Sequence, residues 1–212
     1  MTGAMEYLKD PAAIYELSFA TIRAETDLAR LPESVRPLAV RLIHACGMVD
    51  LADDLRFSDD VVLQAREALI AGCKVITDCE MAAAGIIRRL LPASNQIVCT
   101  LNDPQTSLLA AKHETTRSAA AVSLWPEHLD GAVVVIGNAP TALFALLELL
   151  DETAVRPAAI LGFPVGFVGA AESKDALAAD PRGVPFATVL GRRGGSAMAS
   201  AALNAISAGS AR

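Results

Sequence analysis

Five short apolar segments, each followed by residues at helical spacing, predict an α/β fold. The expected architecture is a parallel five-stranded sheet with helices on both faces (doubly wound), preceded by an N-terminal helical segment. Three observations carry this. Val133, Val134, Val135 and Ile136 form a continuous β-branched run, the pattern of a strand buried on both faces. Between residues 73 and 208 such runs alternate with amphipathic stretches, and right-handed crossovers then wrap both faces. Residues 1–72 read as a helical preamble. The 212 residues are taken as one domain, with 1–72 packing on the sheet and 73–208 forming the βα core.

The preamble comes first. Asp10–Pro11 reads as an N-cap with proline at the first helical position, opening a helix to about Arg30. Ile14, Leu17, Ile22 and Ala29 fall on its inner side, and Arg23 with Asp27 forms a surface pair four apart. Ser34 can cap a second helix, in which Val35, Leu38, Ala39, Leu42 and Ile43 keep the 3.6-residue period. Pro37 is tolerated in its first turn, and Gly47 stops it. Phe57–Asp60 reads as a cap before a helix from Asp60 to Ala71. The core follows, with strands at Lys74–Thr77, Gln96–Leu101, Val133–Ile136, Ala158–Leu161 and Phe186–Leu190. Helices are expected at Glu80–Arg89, Gln105–Lys112, Thr115–Trp125 and Thr141–Leu150, then after Gly169 through Leu177, and from Ser196 to about Ala208. Gly209–Arg212 reads as a frayed tail.

Composition bounds the function. The chain is 53% apolar with mean hydropathy +0.40, much of it Ala, Val and Leu suited to a covered sheet. The most apolar stretch is broken by Gly137, Asn138 and Pro140, and Glu148 follows, so a membrane span is rejected. MTGAMEYLKDP has no apolar signal-peptide core. A net charge of −6 with no basic run argues against a nucleic-acid partner. Cys46, Cys73, Cys79 and Cys99 form no C-x-x-C pair, which favours reduced thiols in a cytoplasmic protein over disulfides or a metal centre.

Ligands of such sheets bind beyond the carboxyl ends of the strands. Three of those ends are glycine-rich, which permits close backbone approach to a ligand or merely a tight turn. Gly137, Asn138 and Thr141 belong to the turn after the central run, whose N–H groups are expected to aim at whatever sits above the sheet. No G-x-G-x-x-G or P-loop pattern supports nucleotide binding. Of three histidines, His113 and His128 lie in polar segments, while His44 ends a helix with Arg41 one turn earlier. The helix end favours a charged ring, burial and Arg41 disfavour it, and that balance suits a proton donor or acceptor. Arg117 opens a helix against the dipole, a hint that it meets an anionic ligand.

Several strings go further. His44–Ala45–Cys46–Gly47, Thr116–Arg117–Ser118–Ala119–Ala120, Gly137–Asn138–Ala139–Pro140–Thr141–Ala142–Leu143, the run from Gly162 to Lys174, and Gly194–Gly195–Ser196–Ala197 resemble precorrin-8X methylmutases. The likeness covers about Tyr7 to Ala205. It implies a cobalamin-pathway isomerase that moves a methyl group between adjacent ring carbons of precorrin-8X, giving hydrogenobyrinate or its cobalt-containing counterpart. It implies His44 as proton donor or acceptor, Ser18 and Arg41 as substrate contacts, and Tyr15 and Arg117 lining the same site. It also implies a homodimer with no metal or organic cofactor. Ile87 departs from relatives that carry a polar residue such as threonine there. The competing reading is a non-catalytic corrinoid carrier that holds hydrogenobyrinate for hand-over to the next enzyme.

Overall fold

The computed structural model describes residues 6–209; the expectations for the first five residues and for tail residues 210–212 lie outside them. The elements run α1 (Pro11–Glu25), α2 (Arg36–Cys46), α3 (Leu51–Asp54), β1 (Leu55–Phe57), α4 (Val61–Ile70), β2 (Val75–Thr77), α5 (Glu80–Gly85), β3 (Ile97–Cys99), α6 (Pro104–Lys112), α7 (Arg117–Val122), α8 (Pro126–Leu129), β4 (Val133–Ile136), α9 (Pro140–Glu152), β5 (Ala159–Gly162), α10 (Ala170–Ala179), β6 (Phe186–Val189) and α11 (Ser196–Ala208).

All five expected strands form one sheet, mutually parallel, in the order β6-β5-β4-β2-β3. A sixth joins them. Leu55–Phe57, inside the stretch expected to be helical, pairs antiparallel with β6 at the edge. Three residues are too few to show a period, so only the neighbouring strand makes this one. Side chains alternate between two cores. Val75, Val133, Val135, Leu161 and Val189 meet α2, α4 and α11 on one face. Ile76, Val134, Ile136, Ile160 and Phe186 meet α8, α9 and α10 on the other.

The helices differ from expectation where a local competitor ends them. α1 stops at Glu25 because β-branched Thr26 is extended (φ −119°), and Leu28–Arg30 forms a separate 3-10 turn. The Arg23–Asp27 pair does not form. Asp27 instead accepts from the Ala29 N–H at 3.1 Å, and Arg23 lies over the Phe19 ring. Of the four residues placed on the inner face, only Ile22 is buried; Ile14 and Leu17 are 43% and 61% exposed. Ser34 does not cap α2, nor does Ser196 cap α11, where Gly195 holds the cap position at φ 123°. Gly47 does end α2 in the left-handed region. The expected helix Glu80–Arg89 ends at Gly85, where the Asn204 amide bridges the Gly85 carbonyl and the Ile87 N–H.

The strand order reverses between β2 and β4, which marks a topological switch point. The protein fills that crevice itself. Buried Asp78, just past β2, accepts from the N–H groups of Gly137, Asn138 and Ala139 at 2.9, 2.9 and 2.8 Å. From the other face the start of α11 closes in, so that a Cβ on Gly137 would stand 2.6 Å from the Ser196 Cα. Gly194, one of three glycines in the β6–α11 loop, is explained the same way: a Cβ there would lie 2.4 Å from the Phe163 and Pro164 carbonyl oxygens. Both glycines serve packing of protein against protein.

One strut braces that loop. Lys174, fully buried on α10, donates its ammonium to the Arg193 carbonyl. The Arg193 guanidinium in turn holds Asp50 (2.8 Å) and Asp54 on α3 and just before it. Burial, aided by the nearby Arg193 charge, pushes the Lys174 ammonium down to about 8. The depressed value means that the folded chain binds fewer protons than the unfolded one between pH 8 and the ordinary lysine range. Stability should therefore rise with pH through that window, by up to about 3 kcal/mol, and the penalty should be fully present below it. Urea unfolding at pH 7.5 and 10 should show this rise in wild type and a smaller one in Lys174→Met. Equal rises in both would exclude Lys174 as the cause.

Candidate active site

With the sheet crevice closed, His44, the candidate for proton transfer, and its neighbours lie on the outer layer of helices. Position Nδ1 of His44, in the last turn of α2, is 2.9 Å from the Ser18 hydroxyl in the middle of α1. This bond orients the ring and occupies one nitrogen, leaving Nε2 for a reacting atom. Whether Ser18 donates or accepts decides which tautomer Nε2 presents, so either direction of proton transfer is open to it. The ring sits between aromatics. Tyr15 is 5.7 Å away and tilted, and Phe19 is 5.3 Å away, edge-on. The Arg41 guanidinium lies 4.8 Å from the Phe19 centroid and 5.9 Å from that of Tyr15. An antiparallel α1–α2 pair thus brings Tyr15, Ser18, Arg41 and His44 into one cluster.

His44 itself is solvent-exposed, contrary to the burial expected from its flanking Ile43 and Ala45. Ile43 does enter the core, but Ala45 and His44 lie on the outward side of α2. Tyr15 is likewise half out in solvent. The cluster is therefore an open surface on a helix pair with a thin inner face.

The other candidates lie together where the start of α7 meets the β4–α9 turn, and among the described residues no hydrogen bond, ion pair or aromatic contact joins them to His44. Arg117 does open α7, and its guanidinium donates to the Leu101 carbonyl (2.9 Å) and to Asn102 Oδ1 (2.8 Å), which fixes its direction while it stays exposed. Thr141 shares a hydroxyl–hydroxyl bond of 2.8 Å with Thr116, the N-cap of α7. Asn138 is exposed, whereas Gly137 is buried. The backbone N–H groups expected to face a ligand there belong to Asp78 instead. The sequence assigns no particular role to Phe19, nor to Asp78 and Asn102 beyond their places at strand ends. Phe19 stands one turn after Tyr15, and an acidic residue directly after a strand was the available sign for Asp78.

Other expectations resolve simply. His113 is exposed, while His128 is half-buried with Nδ1 2.9 Å from the Lys74 ammonium. The four cysteines are unpaired, Cys79 buried and 3.3 Å from the Ser196 hydroxyl, and burial pushes each thiol up. Among the described residues no three His, Cys, Asp or Glu side chains converge on a point, and no helix is long and apolar enough to cross a membrane. Ile87 is 40% exposed beside α11.

Known proteins share the fold and much of the sequence. The family profile CbiC, precorrin-8X methylmutase, matches residues 13–208. A precorrin-8X methylmutase of Pseudomonas aeruginosa is 60% identical over 95% of this chain and 97% of its own. A cobalt-precorrin-8 methylmutase of Salmonella typhimurium is 38% identical over 95% and 97%. The crystal structure of the precorrin-8X methylmutase from Thermus thermophilus superposes with a TM-score of 0.82 at 37% identity, covering 92% of this chain and 96% of that one. Profile, relatives and fold agree, and the chain belongs to the precorrin-8X methylmutase family.

Proposed function

We propose that this protein isomerises precorrin-8X to hydrogenobyrinate, with His44 as the proton donor and acceptor. The observation that carries the site is the Ser18–His44 bond within the Tyr15–Phe19–Arg41 cluster. Methyl migration between adjacent ring carbons must be accompanied by proton movement at the macrocycle. The reaction is an isomerisation, so a proton taken at one stage is returned at another. Nε2 of His44 can do both, because Ser18 holds the ring without fixing its charge. The aromatic rings offer flat apolar surface to a flat macrocycle, and Arg41 and Arg117 meet its peripheral carboxylates. Gaining conjugation in the product supplies much of the driving force, so little further chemistry is asked of the protein. The relatives carry an enzymatic name, and nothing favours the carrier reading over it. Relatives at 60% identity are named for the cobalt-free substrate and those at 35–38% for the cobalt form, which favours the cobalt-free corrinoid here.

In this reading the chain is one domain, residues 1–72 supplying the acid–base group and 73–208 the platform. A homodimer is its working form. An open His44 surface beside exposed Ile14 and Leu17 calls for a cover, and a second copy would exclude water and bring another chain's Arg117 group within reach. A cytoplasmic location suits the four unpaired thiols. The test is to incubate purified protein with precorrin-8X and follow the visible spectrum, with sedimentation equilibrium on the same sample. Conversion to the orange product by a species of twice the chain mass is expected. Tight product binding without conversion would leave a carrier.

A further inference from the structure

A groove of about 670 Å3 runs between the C-terminal half of α1, α2 and the end of α11, on the far side of Phe19 and Arg41 from His44. Its walls include Arg23, Arg36 and Arg41, and against them the carboxylates of Asp27 and Glu33. Asp27 is already used by the Ala29 N–H. Arg36 donates from Nε to the Leu31 carbonyl at 3.0 Å, which orients its fork. Among the described residues neither Arg23 nor Arg41 pairs with a carboxylate; the two guanidinium groups flank the same Phe19 ring at 5.9 and 4.8 Å. The lining is thus net positive in a chain of net charge −6. A second observation is independent of charge. Thr26 is 92% buried and lines the groove, and its hydroxyl is the one buried side-chain polar atom among the described residues without a hydrogen-bond partner. An orphaned hydroxyl at such a place is a standing cost unless something in the groove completes it.

We propose that this groove is a further carboxylate subsite of the corrinoid cleft. Arg23, Arg36 and the Thr26 hydroxyl receive a peripheral carboxylate of the macrocycle there, while Arg41 is shared with the His44 cluster. The two guanidinium groups and the hydroxyl can all donate, which matches an ionised carboxylate, and the three arginines outnumber the Asp27 and Glu33 carboxylates in the wall. Phe19 and Arg41 line the groove and also touch His44 or its neighbours, so one ligand can reach both places. The subsite rests on the corrinoid reading above, and it assigns binding work to Arg23 and Thr26, which the family resemblance does not mark.

The test compares wild type, Arg23→Gln and Thr26→Val by visible titration with hydrogenobyrinate, and with the same macrocycle after its peripheral carboxylates are converted to amides. Each variant should bind hydrogenobyrinate about tenfold more weakly, with the kinetic loss concentrated in KM, and the difference from wild type should vanish for the amidated macrocycle. Thr26→Val should also melt no lower than wild type, because a methyl replaces an unsatisfied buried hydroxyl at nearly constant volume. Wild-type affinity in both variants overturns the subsite, as does an equal loss with the amidated ligand. A shifted monomer–dimer equilibrium with wild-type product affinity overturns it too, by making the groove an interface. A wild type that binds neither macrocycle overturns the corrinoid reading itself.

Discussion

His44→Ala is expected to keep binding the orange product while turnover falls by about 10²- to 10⁴-fold, the span that a positioned proton-transfer group contributes. The expectation follows from the geometry. The imidazole is a surface group whose removal opens no core cavity, because His44 and Ala45 point outward and only Ile43 beside them is buried. Folding, and the ligand contacts proposed for Tyr15, Ser18 and Arg41, should therefore survive. The Ser18 hydroxyl cannot take over, since without a base beside it it stays protonated and holds no exchangeable charge near neutrality. Spectral titration with hydrogenobyrinate and single-turnover conversion of precorrin-8X separate the two effects. Full turnover by the variant would remove His44 from the chemistry.

The largest effect on stability is expected from Asp78→Ala, at about 4 kcal/mol. Its two carboxylate oxygens satisfy three backbone N–H groups, of which those of Gly137 and Ala139 are buried. Each orphaned buried donor costs roughly 1–3 kcal/mol, and the turn between β4 and α9 has no side-chain cap of its own to replace the lost acceptor. Asp78→Asn should lie between, because it keeps one oxygen but turns an amide group toward a donor. Urea unfolding midpoints read this directly. A loss of less than 1 kcal/mol for the alanine variant would mean that water replaces the carboxylate without penalty. Since this residue closes the sheet crevice, its variant also tests whether the platform must be rigid for turnover.

The fold was legible wherever burial repeats along the chain. The VVVI run announced β4, and the Leu143, Leu146, Leu147 and Leu150 spacing announced the inner face of α9; all eight residues are buried. Local chemistry placed some ends correctly, as at Asp10, which accepts from the Ala13 N–H, and at Gly47. It failed where a distant partner intervened, as with Asn204 at the end of α5 or β6 beside Leu55–Phe57. It failed also on α1, whose apolar residues suggested an inner face that packing against α2 alone does not bury.

The candidate site divides in the same way. The types of residue, their family strings and the Arg41–His44 spacing are properties of the chain in one dimension. They determined the family and the parallel sheet, and they singled out His44 as the candidate for proton transfer. Only tertiary structure decided which candidates meet. Ser18 reaches His44 across 26 residues because two helices pack antiparallel, while Asp78 takes the Gly137–Ala139 N–H groups across about 60 residues and withdraws them from any ligand. A hydrogen-bond donor goes to whichever acceptor the fold brings within 3 Å, and sequence spacing measures that distance only within a single helix or strand.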